Sequence, residues 1–216
     1  MAFKNIFFDF DGTIADTSEG VYKSFDYVIN FYGVNFDHSE YKKLIGPPLK
    51  ESFENILHLP KTEIQNAIKK YREYYTPKGV LECKIYDGIL DLIKSLKAKN
   101  YKICVATSKP EHFARQILEH FQIANLFDFI GGSSADEKSR VEKVDVVRYV
   151  MEKNNFKSDE CILIGDRKYD VEGAHQAGIK CMGILWGFGN RKEFEECGAD
   201  YICATVKEAD EFFEGV

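Results

Sequence analysis

The sequence predicts an α/β protein: a Rossmann-like parallel sheet with helices on both faces, plus a small helical domain inserted after the first strand. Three observations predict it. The apolar run Ile6-Phe7-Phe8 leads into Asp9-Phe10-Asp11-Gly12 and stops there, as a buried strand does at its end. From about Leu81 onward, strand-like runs alternate with stretches of helical spacing, the pattern of a parallel sheet. Between these two parts the chain stays helical. The expected division is therefore residues 1–14 and 81–216 as the sheet domain and 15–80 as the insertion.

Taken in order, Val21, Phe25, Val28, Ile29 and Tyr32 recur at helical spacing, and Gly33 supplies the stop. Leu44-Ile45-Gly46-Pro47-Pro48-Leu49 breaks the pattern with a rigid loop. Phe53, Ile56 and Leu57 predict a short helix. Thr62 reads as the N-cap of another, carrying Ile64, Ala67, Ile68 and Tyr71 and ending before Pro77. In the second part a helix is expected from about Asp87 to Lys99, then a strand Tyr101–Thr107. Pro110 opens the next helix, Phe127–Ile130 forms a short strand ending in Gly131-Gly132, and Val144, Val147 and Met151 mark a helix. Cys161–Asp166 is a strand and its end. Val171, Ala174 and Ala177 lie on a small-residue helix closed by Gly178, and strands at Ile179–Leu185 and Tyr201–Cys203 complete the sheet.

The chain has 216 residues and a net charge of −6. That charge argues against a nucleic-acid polymer as partner, because phosphate contacts need clustered Lys and Arg. It is compatible with a small anionic substrate, since a metal and a few local cations reverse the sign inside a cleft. The apolar part of the N-terminal segment is too short for a signal peptide, and no run is long enough to span a membrane. Six cysteines form no CxxC pair and read as small buried hydrophobes of a reducing cytoplasm. The five histidines show no zinc spacing. No heptad repeat marks an interface, so the oligomeric state stays open between a monomer and a weak dimer.

Four separated elements point to one site. Asp9 and Asp11 lie two apart at a strand end, where period-2 geometry puts them on one side and where open α/β sheets place ligands. Such a pair holds a metal, does acid–base chemistry, or caps a turn. Thr107 and Ser108 follow an apolar strand and precede a helix, which suits a phosphate site. Lys143 sits on a helix after a polar loop. Asp166 and Asp170 follow a strand end, four residues apart.

This arrangement resembles the haloacid dehalogenase superfamily of phosphotransferases. Asp9-Phe10-Asp11-Gly12-Thr13 resembles its first motif, Thr107 the second, Lys143 the third, and Gly165-Asp166 with Asp170 the fourth. The insertion looks like that superfamily's helical C1-type cap. Asp-Gly-Thr-Ile-Ala-Asp-Thr, Ile45–Leu49 and Thr-Ser-Lys-Pro look most like its phosphoglycolate phosphatase and 5′-nucleotidase branch.

The resemblance implies a Mg²⁺-dependent phosphatase acting on a small phosphorylated metabolite. Asp9 would be the nucleophile and Asp11 the general acid and base. Thr107, Ser108, Gly12 and Lys143 would bind the phosphoryl group. Mg²⁺ would be held by Asp9, Asp166, the Asp11 carbonyl and, through water, Asp170. The stiff loop Gly46-Pro47-Pro48 either enters the cleft and reads the leaving group or is an ordinary helix–helix connection, and Lys43, Arg140, Lys42 and Lys168 are either anion contacts or solvated surface residues. Trp186 and Phe188 either line the cleft rim or pack. A sugar phosphomutase and a non-catalytic regulatory relative are the alternatives. Thr13 favours the phosphatase over the mutase, which tends to have Val at that position.

Overall fold

A computed structural model describes residues 3–134 and 139–215. The chain divides into two compact units, one of residues 1–15 and 85–216 and the other of residues 16–84.

The chain enters the first unit through β1 (Asn5–Phe8), buried along its whole length. It leaves through β2 (Ala15–Asp16) and builds the second unit from α1 (Ser18–Tyr32), a 3₁₀ segment (His38–Leu44), α2 (Leu49–Glu51), a π-helical turn (Ser52–Ile56) and α3 (Ile64–Tyr75). It returns through β3 (Lys84–Ile85), which pairs with β2. The rest alternates: α4 (Ile89–Ala98), β4 (Lys102–Pro110), α5 (Glu111–His120), β5 (Phe129–Ser133), α6 (Lys143–Asn154), β6 (Cys161–Gly165), α7 (Lys168–Gln176), β7 (Lys180–Ile184), α8 (Arg191–Cys197), β8 (Tyr201–Cys203) and α9 (Val206–Phe212).

The sheet runs β5-β4-β1-β6-β7-β8, every described pairing parallel. This is the α/β fold the alternation predicts. Both faces are covered, so β1 and β6 are buried at every residue, as a sheet flanked by helices requires. Phe7, Ala106, Leu163 and Cys181 pack on one face against Val146, Val147 and Val150 of α6 and Val171 and Ala174 of α7. Each such aliphatic burial stabilises by roughly 1.5–3 kcal/mol. The strand order reverses at β1, and a crevice for ligands forms beyond the carboxyl ends of strands at such a point.

In the second unit α1 ends at Gly33, whose left-handed φ of 64° closes the helix onto Ile29. Phe25, Phe53 and Tyr71 pack as rings at its centre. Gly20 and Gly79 are there for close approach: a Cβ on Gly20 would lie 1.8 Å from the Gly79 carbonyl oxygen.

Several local expectations are corrected. The expected short helix around Phe53 is α2 followed by a π-helical turn. Thr62 is not the cap of α3: Glu63 occupies that position, its amide tied to the Pro60 carbonyl at 2.8 Å. Gly131 and Gly132 lie inside β5 rather than ending it. Their missing side chains admit neighbours, since a Cβ on Gly131 would meet Val150 at 2.5 Å and one on Gly132 would meet Glu111 at 2.6 Å. β4 runs past Thr107 to Pro110 through an irregularity in its pairing with β5. Among the described residues no helix is long and apolar enough to cross a membrane.

Candidate active site

β1 ends at Phe8, but the Asp9 amide still reaches across to the Ile164 carbonyl at 2.9 Å. The chain then turns tightly. The Phe10 carbonyl accepts from the amides of Thr13, Ile14 and Ala15, and Gly12 takes a φ of 83°, open chiefly to glycine. The pair Asp9 and Asp11 is thus carried by a turn, so strand alternation does not govern the direction of Asp11. The two carboxylates meet different lysines.

Asp9 meets Lys143, the first residue of α6. The ammonium lies 2.7 Å from Asp9 Oδ1, 2.7 Å from Asp170 Oδ1 and 3.2 Å from the Ala106 carbonyl. Lys143 is 6% exposed, so its stem needs room inside the protein. Gly173 provides it: a Cβ there would lie 2.5 Å from Lys143 Cγ. Asp170 stands in the first turn of α7, where its Oδ2 accepts from the Arg167 amide at 3.0 Å. Gly165 leaves the space for it, because a Cβ would come within 2.3 Å of Asp170 Cγ.

Asp166 follows β6 and is fully buried. Its Oδ2 accepts from the Phe188 amide at 2.8 Å, and its Oδ1 meets the Thr13 hydroxyl at 3.5 Å. Asp9, Asp166 and Asp170 each offer an oxygen within 4.8 Å of the others. Of these three buried acids, Asp9 and Asp170 pair with Lys143. Burial raises Asp9 from its ordinary value to about 6; Asp170 adds to the rise, while Lys143 and a hydrogen bond with Thr107 oppose it. Burial also pushes Asp166 well above the usual carboxylate range, helped by Asp170 and Asp9. Burial alone would lower Lys143, yet Asp170 and Asp9 outweigh it and keep the ammonium charged. Hard oxygen donors with excess negative charge in a confined space fit a small divalent cation such as Mg²⁺.

Asp11 meets Lys109 on β4. The ammonium is 2.9 Å from Oδ1 and 3.1 Å from Oδ2, and the lysine side chain is 4% exposed. Lys109 lies within Thr107-Ser108-Lys109-Pro110, where the sequence pattern assigns it no role. The available signal was its position two residues beyond Thr107. Thr107 itself accepts from the Lys109 amide at 3.2 Å, and Ser108 is half-buried beside it. Both lie in the end of β4, not in the first turn of α5.

Arg140 and Lys168 have partners of their own. Arg140 donates from Nε to the Gly132 carbonyl at 2.7 Å, approaches Glu111 at 3.4 Å and lies 3.7 Å over the Tyr149 ring. Lys168 sits over the Tyr169 ring. Lys42, Lys43, Gly46, Pro47 and Pro48 belong to the second unit. There Lys43 pairs with Glu40, Lys42 and Gly46 are exposed, and Pro47 and Pro48 are half-buried.

Residues 6–184 match the family model of the haloacid dehalogenase-like hydrolases. The chain belongs to that family. It is 32% identical over 207 residues to a 5′-nucleotidase of Pseudomonas aeruginosa, covering 95% of this chain and 93% of that one. It is also 32% identical to tyrosine-protein kinase PtkA of Mycobacterium tuberculosis, covering 95% of this chain and 71% of the relative. Among solved structures it resembles a predicted phosphatase from Clostridium acetobutylicum, with a TM-score of 0.95, 43% identity and full coverage of both chains. Membership in this hydrolase family, with relatives named as phosphatases, supports a phosphatase.

Proposed function

We propose that this haloacid dehalogenase-like hydrolase is a Mg²⁺-dependent phosphatase that acts on a small phosphomonoester through an aspartyl-phosphate on Asp9. The observation that carries this reading is the buried cluster of Asp9, Asp166 and Asp170, in which Asp9 and Asp170 share the charged Lys143. The 5′-nucleotidase name of the Pseudomonas relative supports a nucleoside monophosphate as first substrate to try. Phosphoglycolate, pyrophosphate and sugar phosphates complete the set.

In this reading Asp9 attacks phosphorus and the bond to the leaving oxygen breaks. A carboxylate is a competent nucleophile once ionised, and the ion pair with Lys143 favours that form. Asp11 protonates the leaving oxygen, then takes a proton from the water that hydrolyses the acyl phosphate. Thr107 and the Ser108 amide hold phosphoryl oxygens, and Lys143 offsets the charge that collects on them. Asp170 orients Lys143, to which it is directly paired. Asp9, Asp166 and the Asp11 carbonyl are the groups to hold Mg²⁺, with Asp170 reaching it through water. When bound there, the ion supplies positive charge against the phosphoryl oxygens.

The test is phosphate release from a panel of phosphorylated metabolites, with Mg²⁺ and with excess chelator, alongside mass spectrometry of acid-quenched protein. Metal-dependent release and a phosphate mass on the peptide containing Asp9 are expected. Release that continues at full rate in chelator overturns the reading.

A further inference from the structure

The Asp166 carboxylate and the turn that carries Asp11 are both tied to one short segment after β7. The Phe188 amide donates to Asp166 Oδ2 at 2.8 Å. Two residues earlier, the Trp186 indole N–H donates to the Thr13 carbonyl at 3.1 Å. Thr13 closes the turn that carries Asp11.

The glycines between and around these residues show how tightly the segment is seated. A Cβ on Gly187 would lie 2.3 Å from the Gly12 carbonyl oxygen and 2.4 Å from Asp166 Cβ. One on Gly189 would lie 2.0 Å from the Asp166 carbonyl oxygen. From the other side, a Cβ on Gly12 would lie 2.1 Å from Asp166 Oδ2 and 2.6 Å from the Phe188 ring. Backbone meets backbone here, so neither the Asp11 turn nor Asp166 can shift without the segment following.

We infer that Trp186–Gly189 is a latch that couples the carboxylate of Asp166 to the turn bearing Asp11, with Trp186 as a positioning residue. The inference rests on the phosphatase reading of the same site. With Oδ2 committed to the Phe188 amide, a cation drawn to Asp166 pulls on a group already tied to this segment. The strain passes through Gly187 to the Gly12 carbonyl and through the indole to the Thr13 carbonyl. Outer partners of this kind set ligand orientation, and their loss costs about 10–100-fold in metal affinity or activity.

Trp186 is the only tryptophan of the chain, so the latch carries its own reporter. Chelator-stripped wild-type protein would be titrated with Mg²⁺, following tryptophan emission and calorimetric heat in parallel. The emission should change along the same isotherm as the heat. Trp186→Phe keeps an aromatic ring but loses the N–H. It should bind Mg²⁺ about tenfold more weakly by calorimetry and lose about tenfold in kcat, with KM within about twofold. A merely structural role would lower the melting temperature in chelator and leave Mg²⁺ affinity and kcat alone. Gly187→Ala should weaken Mg²⁺ in the same direction. Wild-type emission that stays flat while calorimetry shows Mg²⁺ saturating, or wild-type Mg²⁺ affinity and kcat in Trp186→Phe, overturns the latch and leaves the phosphatase reading standing. Wild-type protein that binds no Mg²⁺ by calorimetry removes the metal reading, and the latch with it.

Discussion

Lys109 grips Asp11 by both carboxylate oxygens, at 2.9 and 3.1 Å, from a side chain that is itself almost wholly buried. A two-point contact fixes where the carboxylate points. Lys109→Ala should therefore lower kcat by about 10–100-fold, because Asp11 loses its orientation rather than its chemistry. KM should move little. Steady-state phosphate release measures both, and an unchanged kcat would show that Asp11 is positioned without Lys109.

Asp9→Asn keeps the shape of the side chain and removes its negative charge. Turnover should fall by roughly three orders of magnitude or more, as for other essential nucleophiles. The fold should persist, because the backbone bond from Asp9 to Ile164 is untouched. Circular dichroism and phosphate release together check this.

Without metal, Asp9 titrates near 6 in the folded protein, above the ordinary carboxylate value, because burial opposes its charge. The unfolded chain gives up that proton at lower pH. Between about pH 4 and 6 the native state therefore holds more protons than the unfolded one, and stability falls as pH rises. Mg²⁺ binds the ionised carboxylates, so its stabilising effect should grow over the same interval. Melting temperatures at pH 5, 6 and 7, with chelator and with Mg²⁺, should diverge progressively. A Mg²⁺ effect that shrinks toward pH 7 would contradict this account.

Lys143→Met leaves Asp9 and Asp170 buried without their shared cation. Breaking a buried ion pair from one side costs about 3–5 kcal/mol. Urea unfolding in chelator at pH 7 should show that loss. At pH 5 it should shrink, because Asp9, which burial raises to about 6, then carries a proton. Equal destabilisation at both values would mean that Lys143 acts through packing alone.

Pro48→Ala addresses the rigid loop of the second unit, where Gly46 takes a φ of 107° ahead of two prolines. If the loop reads the leaving group, the ratio of kcat/KM between a nucleoside monophosphate and phosphoglycolate should shift several-fold. Competition assays give the ratio directly. A constant ratio across several substitutions in Gly46–Leu49 would make the loop a connector.

Much of the fold was legible because β1, β4 and β6 are apolar runs with helical stretches between them. The site was legible where chemistry sits at strand ends: Asp9 after β1 and Asp166 after β6. What stayed hidden depends on contacts distant in sequence. Gly131 and Gly132 read as a stop because glycine often is one; that they admit Val150 and Glu111 is a tertiary fact. Lys109 carries no local mark that its ammonium crosses to Asp11, nearly a hundred positions away. The Phe188 amide is backbone, and no side-chain pattern announces a backbone donor. Ser52–Ile56 read as ordinary helix because a π-helical turn is a single-turn variation within helical sequence.

The place of β1 in the sheet bears on how the protein is made. Asn5 pairs with Lys102 on one side and Cys161 on the other. During synthesis the first strand therefore emerges with no partner, waits for β4, and is flanked on both sides only after β6 has left the ribosome. The second unit is one unbroken stretch, so all its contacts join residues already translated. Pairings distant in sequence form late, and local helical ones early. The helical unit can thus condense first while Ile6-Phe7-Phe8 remains an unpaired apolar segment.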